Sequence, residues 1–188
     1  MSSTNRSKAR SLHVADYYVT PISVIETFLQ EQSIIDFTNL TILDPCAGGD
    51  PSHCMSYPSA LRNYTKDITS IDIREDSLAK YKQNYLLTDI PKVFDVIITN
   101  PPFNLAMEII EKALQDVVDA GYVVMLLRLN FFGSKRRKPF FDKFPPLATY
   151  VHSKRISFTE EGTTDSIEYM HCIWQKGLNT TYTKLRVI

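Results

Sequence analysis

Apolar runs alternate with amphipathic stretches along this chain, and the alternation predicts a layered α/β protein. Runs rich in aliphatic and β-branched residues predict strands that are buried on both faces of a parallel sheet. These runs are residues 40–43, 68–73, 94–98 and 122–127, with a weaker one at residues 85–88. Near the end of the chain, residues 156–158 and 167–174 predict two more strands, joined by a polar loop at residues 160–165.

Helical patterns fill several of the intervals between these strands. A helix is predicted over residues 21–32, with Thr20 as its N-cap, and a second over residues 77–85. A third, with a clear apolar face, is predicted over residues 105–117, and Gly121 is expected to end it. The expected fold class is therefore α/β: a doubly wound, Rossmann-like, mostly parallel sheet of about seven strands with an antiparallel strand near the C-terminus.

Length and composition suit one domain. The chain has 188 residues, of which 44% are hydrophobic, enough for one substantial core. Residues 1–15 are polar and basic, so we expect a flexible N-terminal tail there and a single domain over residues 16–188. No apolar stretch approaches the ~20 residues of a membrane span and no leader-like segment follows the first residues, which predicts a cytoplasmic protein without a membrane partner. Three cysteines without a CxxC pair predict neither a disulfide framework nor a metal site.

The charges balance, with 21 lysines and arginines against 21 aspartates and glutamates. No global basic field attracts nucleic acid, so any such binding must be local. The candidate segment for recognising a nucleic-acid substrate is residues 128–146. It contains aromatic residues and the consecutive cations Lys135, Arg136, Arg137 and Lys138. This composition suits phosphate contact and base stacking, but it is also typical of a solvated helix face with its apolar side in the core.

The run at residues 94–98 leads directly into Asn100, Pro101, Pro102 and Phe103. The prolines lack N–H groups and hold Asn100 extended at the carboxyl end of the strand, where open α/β sheets bind ligands. The Asn100 amide and a nearby backbone carbonyl provide two acceptors, which suit one NH₂ group. Phe103 can offer a flat face to the planar system that carries it. Considered alone, the segment is equally consistent with a strand that ends in a proline-rich turn.

Four motifs in order resemble the class I S-adenosylmethionine-dependent methyltransferases, especially small phage-type enzymes that methylate adenine N6 in DNA. They are Leu43-Asp44-Pro45-Cys46-Ala47-Gly48-Gly49, Ile71-Asp72-Ile73, Asp89 and Thr99-Asn100-Pro101-Pro102-Phe103. Asp16-Tyr17-Tyr18-Val19-Thr20-Pro21 also matches the segment that such enzymes carry ahead of the first strand. The resemblance extends from about Asp16 to Trp174. Asp50 departs from it, because family members often have a further glycine at that position.

The resemblance implies S-adenosyl-L-methionine as the cofactor. The glycine pair would admit its methionine half, Asp44 would face its ammonium group, and Asp72 would accept both ribose hydroxyls. From the residues alone, a tight turn at the glycines and a helix cap at Asp72 are the alternatives, and Asp89 can be a simple turn residue. The implied cofactor-binding residues are Tyr18, Thr20, Pro21, Asp44, Pro45, Cys46, Ala47, Gly48, Gly49, Asp72, Ile73, Asp89, Ile90 and Asn100.

The resemblance also implies a reaction, with Asn100, Pro101, Pro102 and Phe103 as catalytic residues. They would hold the amino group of a flipped base for direct in-line methyl transfer, without a covalent enzyme intermediate. DNA is then the expected partner. Because such a site selects an NH₂ group and not the molecule that carries it, an RNA base or a protein glutamine amide stays open as the acceptor. A cofactor-binding subunit without catalysis is a further alternative.

Overall fold

The computed structural model describes residues 18–158 and 166–188. The predicted tail at residues 1–15, together with Asp16 and Tyr17, lies outside the described residues, and so does the predicted polar loop at residues 160–165. Among the described helices, none is both long enough and apolar enough to cross a bilayer.

The described residues form an eight-stranded sheet with helices on both faces, which confirms the predicted fold class. The strand order is β3-β2-β1-β4-β5-β7-β6-β8, and β7 is antiparallel to both of its neighbours while the other neighbouring pairs are parallel. The strands are β1 (Ile42–Asp44), β2 (Ile68–Asp72), β3 (Tyr81–Lys82), β4 (Val96–Thr99), β5 (Tyr122–Arg128), β6 (Ala148–Val151), β7 (Tyr169–Gln175) and β8 (Lys184–Val187). The helices are α1 (Ile22–Glu31), α2 (Ser56–Leu61), α3 (Ala106–Asp116) and α4 (Lys138–Lys143).

The central strands are apolar because both of their faces are covered. β1 and β4 are buried throughout, and their alternate side chains enter two separate clusters. Leu43 and Ile97 pack with α3 on one face, whereas Ile42 and Ile98 pack with α1 and α2 on the other. This two-sided burial leaves the carboxyl ends of the strands as the open edge of the sheet.

The helix predicted at residues 77–85 and the strand predicted at residues 85–88 are both wrong. The chain forms the short strand β3 and then a 3-10 turn over Tyr85–Leu87. Hydrogen bonds to the neighbouring segment explain the change: the Ser77 hydroxyl donates to the Gly48 carbonyl, and the Lys80 N–H donates to the Ser70 hydroxyl. These contacts hold the chain extended along β2 and override its local helical pattern.

The strand predicted at residues 156–158 is also wrong, and β6 and β8 replace it. β6 pairs with β7 antiparallel, while Ile156 and Phe158 pack against Tyr169 as loop residues. β8 escapes the sequence pattern because it is an edge strand whose four residues are all exposed. Edge strands with both faces in solvent carry little hydrophobic alternation.

The predicted helix ends need two corrections. Pro21, not Thr20, is the N-cap of α1, and the Thr20 side chain makes no capping bond. α3 ends at Asp116, so Gly121 does not cap it. Gly121 lies where a Cβ would be only 2.6 Å from Val117 Cγ2 and 2.9 Å from the Asp95 carbonyl oxygen, so close packing explains the glycine.

Candidate active site

A cleft of about 840 Å³, including its open mouth, lies at the carboxyl ends of β1, β2 and β4. The chain is built so that the loops after these parallel strands meet there, as in other open α/β sheets. Many of the predicted site residues line the cleft: Tyr18, Thr20, Pro45, Cys46, Ala47, Gly48, Gly49, Asp72, Ile73, Asn100 and Pro102. Further lining residues that the sequence did not single out are Ser56, Tyr57, Arg74, Asn84, Tyr85, Leu86, Leu105 and Ile109.

Asn100 presents a free acceptor at this cleft. Its Nδ2 donates to the Thr20 hydroxyl at 3.1 Å, while its Oδ1 is buried and has no hydrogen-bond partner among the described residues. Thr20 is only 2% exposed, so the contact that orients the amide is itself shielded from water. The role of Thr20 is thus to hold Asn100 instead of capping α1, a contact that sequence patterns cannot reveal.

Asp44 is buried and does not itself line the cleft, although Pro45 and Cys46, which follow it, do. Its Oδ1 accepts from the Thr99 hydroxyl at 2.6 Å and from the Cys46 N–H at 3.2 Å. Its Oδ2 is buried and unpartnered within residues 18–158 and 166–188. Burial raises the pKa of Asp44 to about 7, against the opposing effect of the Thr99 hydrogen bond. One carboxylate oxygen is therefore fixed and the other is left for a donor.

Asp72 connects the loops that follow β1 and β2. Its Oδ2 accepts from the Gly48 N–H at 2.7 Å, and its Oδ1 accepts from the Arg74 N–H at 2.8 Å. Arg74 in turn donates from Nη2 to the Gly49 carbonyl at 2.7 Å. No helix follows at residues 77–85, so the helix-capping alternative for Asp72 is wrong. Since each carboxylate oxygen has two lone-pair sites, Asp72 keeps acceptor capacity at the cleft that it lines.

The backbone conformation explains why two glycines stand at positions 48 and 49. Gly48 and Gly49 have φ angles of 64° and 74°, in the left-handed region that favours glycine. A Cβ on Gly49 would also lie 2.8 Å from Met55 Cγ. Asp50, which departs from the family pattern, stabilises the next turn, because its Oδ1 accepts from the Ser52 N–H at 2.7 Å and the His53 N–H at 2.9 Å.

Several predicted site residues lie outside the lining. Asp89 is exposed, and Ile90 packs partly buried against the core next to α3. The chain turns earlier than predicted, so residues 84–86 line the cleft where Asp89 and Ile90 were expected. The Asn84 side chain stabilises this turn by accepting from the Leu86 N–H at 3.0 Å. Pro21, Pro101 and Phe103 also lie outside the lining, although they adjoin residues within it.

Phe103 belongs to an aromatic cluster beside the cleft. Its ring centroid is 6.2 Å from that of Tyr18, with an angle of 29° between the planes, and 5.9 Å from that of Tyr169. The guanidinium carbon of Arg128 lies 4.4 Å from the same centroid. Phe103 is thus packed on neighbouring groups and is not an isolated flat face.

The cationic segment divides into structural and exposed residues. Arg137 donates to the carbonyl oxygens of Asn130 and Phe131, and Lys138 pairs with Asp142. Lys135 and Arg136 are exposed, and they lie in a 3-10 turn before α4. Of the aromatic residues in this segment, Phe131 and Phe140 belong to the core beneath α3. The aromatic part of the segment thus fits the structural alternative, and two cations stay open to solvent.

No protein-family model and no curated protein matches this chain. Solved structures do match it in fold. One is named as a class I S-adenosylmethionine-dependent methyltransferase from Listeria monocytogenes: identity is 15%, the match covers 90% of this chain and 65% of that one, and the TM-score is 0.61. A second is named as an RNA methyltransferase from Pyrococcus horikoshii, with 14% identity, coverage of 87% and 88%, and a TM-score of 0.60.

A third is the methyltransferase subunit of a type I restriction-modification system from Streptococcus thermophilus, with 12% identity and a TM-score of 0.65. That match covers 93% of this chain and 48% of the subunit. The chain thus spans about two thirds of the Listeria protein and about half of the Streptococcus subunit. At these identities the likeness shows a shared fold, the Rossmann-like methyltransferase fold.

Proposed function

We propose that this chain transfers a methyl group from S-adenosyl-L-methionine to an exocyclic amino group of a nucleic-acid base, with adenine N6 in DNA as the acceptor. The observation that carries the proposal is the buried Oδ1 of Asn100 at the cleft, which has no hydrogen-bond partner among the described residues. An orphaned buried acceptor is costly unless a ligand supplies the donor. An NH₂ group supplies one.

The residues present fit the cofactor. Asp44 Oδ2 is a buried acceptor without a donor among the described residues, as expected for a partner of the cofactor's ammonium group. Asp72 lines the cleft with acceptor capacity for ribose hydroxyls. Gly48 and Gly49 also line it, and because they have no side chains, a ligand can lie close to their backbone. In place of Asp89 and Ile90, we assign the adenine side of the cofactor site to residues 84–86.

The cofactor supplies an electrophilic methyl group on a positively charged sulfur. The protein contributes position and electrostatics. The Pro102 carbonyl is occupied, because it accepts from the Leu105 N–H at 2.9 Å. The Asn100 amide oxygen and the Pro101 carbonyl oxygen would accept one hydrogen bond each from the two N–H groups of the acceptor. These bonds favour a tetrahedral nitrogen and stabilise the positive charge that develops on it. With the cofactor bound, the nitrogen would form its bond to the methyl carbon as the carbon–sulfur bond breaks, S-adenosylhomocysteine would be the leaving group, and one amino proton would pass to solvent.

The choice of nucleic acid rests on three supports. The order of motifs resembles the adenine-N6 enzymes, two of the structural neighbours are named as acting on RNA or belonging to a restriction-modification system, and Lys135 and Arg136 are exposed. The cytoplasmic location predicted from the sequence stays a prediction.

The test is tritiated methyl transfer from the cofactor to DNA, RNA and protein in parallel, followed by identification of the labelled group. We expect label on adenine N6 of DNA. Asn100→Ala should lower transfer at least about a hundredfold, as loss of a donor or acceptor at the reacting centre does, while cofactor affinity stays within about twofold. Label on RNA or on a glutamine amide would change the acceptor and keep the chemistry.

No label in any acceptor, with cofactor binding intact, would support the cofactor-binding subunit instead. Equal activity of Asn100→Ala and wild type would remove Asn100 from the mechanism. Asn104→Ala is the matched control, because Asn104 is exposed next to the same turn and outside the cleft lining.

A further inference from the structure

Arg128 ends β5 beside the candidate acceptor site, and the proposed reaction gives its guanidinium no role. Thr99 is in register with Met125, so β5 continues past the end of β4 and brings Arg128 alongside the turn of residues 100–103. Its Cζ lies 4.4 Å from the centroid of the Phe103 ring, within the range of a cation–π contact. The contact holds the positive charge of Arg128 against Phe103, which follows Asn100 in the same turn.

The charge on Arg128 lacks a counterion within the described residues. Its Nε is buried without a hydrogen-bond partner, and no carboxylate of residues 18–158 or 166–188 pairs with it. Other arginines differ: Arg74 and Arg137 donate to backbone carbonyls, and Arg186 pairs with Glu31. A half-buried guanidinium without an anion is unfavourable, since its lost hydration is not offset. An anion that does not belong to the described residues would balance the charge of the Arg128 guanidinium.

The neighbourhood indicates which anion. Every nucleotide carries phosphates next to its base through the sugar, so a cation beside a bound base meets phosphate, whereas a glutamine amide brings no anion with it. A planar guanidinium can bind a phosphate through two parallel N–H bonds, and stacking on a ring leaves those donors free at its edge. The rings of Tyr18 and Tyr169 lie on Phe103 as well, which makes the surroundings suitable for a nucleotide.

We propose that Arg128 binds a backbone phosphate beside the nucleotide whose amino group is methylated. This inference rests on the proposed function and adds a contact to the strand that carries the base. A protein acceptor would leave the guanidinium unpaired. Arg128 is then a substrate-binding residue that contacts the strand while Asn100 holds the amino group.

The first experiment measures binding alone. The affinity for a short single-stranded DNA with one adenine is followed by fluorescence anisotropy over a range of salt concentrations, with S-adenosylhomocysteine present. Arg128→Gln should weaken binding about tenfold to a hundredfold, as loss of a charge-assisted hydrogen bond does, and reduce the salt slope by about 0.7. Arg128→Lys should recover part of the affinity, because lysine restores the positive charge but not the two parallel N–H donors of the guanidinium. Arg62→Gln, at the exposed end of α2, is the control and should change neither quantity.

The second experiment leaves the protein intact. A neutral methylphosphonate replaces one phosphate at a time in the same strand. Wild type should lose affinity at one position next to the adenine, and Arg128→Gln should be insensitive to that substitution. Unchanged cofactor affinity in Arg128→Gln, measured by calorimetry, shows that the variant is folded.

An unchanged affinity and salt slope in Arg128→Gln would overturn the inference, and so would an equal effect of methylphosphonate in both proteins. The proposed function fails separately, through absence of label in the transfer assay with wild type. Transfer to DNA by Arg128→Gln with the KM of wild type would remove Arg128 and leave the methyltransferase proposal standing.

Discussion

At the residue scale, the buried carboxyl of Asp44 combines a hydrogen-bonded oxygen with one that has no partner among the described residues. Thr99 and Cys46 both donate to Oδ1, so the carboxyl cannot rotate to satisfy Oδ2 without losing them. With the pKa raised to about 7 by burial, the group is largely protonated in mildly acidic solution and ionised in mildly alkaline solution. A cationic ligand group would shift this balance towards the ionised form.

This arrangement predicts that cofactor affinity depends on pH. Below about pH 7, Asp44 must release a proton before it can pair with an ammonium group, so Kd should rise by up to about tenfold per pH unit as the pH falls from 7. Above pH 7, the carboxylate is already ionised, and Kd should level off until the ligand's own α-amino group loses its proton at about pH 8. Isothermal titration calorimetry between about pH 5.5 and about pH 7.5 measures the effect of Asp44.

Asp44→Asn is the matched variant. It should bind more weakly at alkaline pH and show a nearly flat profile, because the titrating group is gone. A variant profile as steep as that of wild type would show that another group titrates.

At the element scale, the loop after β1 depends on β2 more than on its own sequence. Asp72 accepts from the Gly48 N–H, Arg74 donates to the Gly49 carbonyl, and Ser77 donates to the Gly48 carbonyl. The loop is therefore held from the neighbouring segment at both glycines. Replacing either glycine would therefore alter the shape of the cleft lining.

Gly49→Ala should destabilise the fold and weaken cofactor binding. The φ of 74° alone costs about 1–2 kcal/mol for a residue with a Cβ. That Cβ would also lie 2.8 Å from Met55 Cγ, 3.1 Å from Leu78 Cβ and 3.2 Å from the Met55 backbone nitrogen, which adds strain. Urea unfolding and calorimetric titration with the cofactor measure the two effects.

Gly177→Ala is the control for Gly49→Ala. Gly177 has a similar φ of 81°, but a Cβ there would meet no atom of the described residues within 4 Å. We expect it to lose only the conformational part of the stability and no cofactor affinity. If both variants bound the cofactor equally, the glycine loop would have no part in the site.

At the scale of the whole molecule, a buried chain of polar side chains connects distant parts of the sequence on the face of the sheet that α1 and α2 cover. The Tyr57 hydroxyl is 2.9 Å from His171 Nε2, and His171 Nδ1 is 2.8 Å from His152 Nε2. The chain links α2, β7 and the residue after β6. Burial lowers the pKa of His152 to about 4, and burial together with the charge of His152 lowers the pKa of His171 well below its usual value.

These buried histidines predict a loss of stability in acid. Between about pH 6.5 and pH 4, the unfolded chain binds protons at both imidazoles while the folded chain does not, so stability falls as the pH falls. Each ring can contribute at most about 1.4 kcal/mol per pH unit. Asp44 acts in the opposite direction, because its raised pKa makes the folded state bind more protons between about pH 4 and pH 7.

Urea unfolding between pH 4 and pH 7 separates the two effects when it is carried out in the Asp44→Asn background. There the free energy of unfolding should fall steadily with acid, and replacing the histidine pair in His152→Gln/His171→Gln should flatten the dependence. A dependence that the double replacement leaves unchanged would exclude the pair as its source.

The sequence by itself determined the centre of the sheet and the position of the cleft. β1, β4 and β5 are covered on both faces, so their residues must be apolar in any such fold, and α3 needs one apolar face for the same reason. Motifs that follow directly on these strands must then lie at their carboxyl ends. For this reason the sequence alone places Gly48, Asp72 and Asn100 at one edge of the sheet, where the cleft lies.

Only the tertiary structure decided which atoms are free at that cleft. Thr20 orients Asn100 across 80 residues of sequence, Asp72 fixes Gly48 across 24, and Arg128 reaches Phe103 from the next strand. The same holds for β3 and β8, where contacts with a neighbouring strand outweigh local preference. Periodicity reports whether a side chain is buried, whereas hydrogen bonds between distant segments depend on how the strands are ordered and where their loops meet. That order is a property of the assembled sheet.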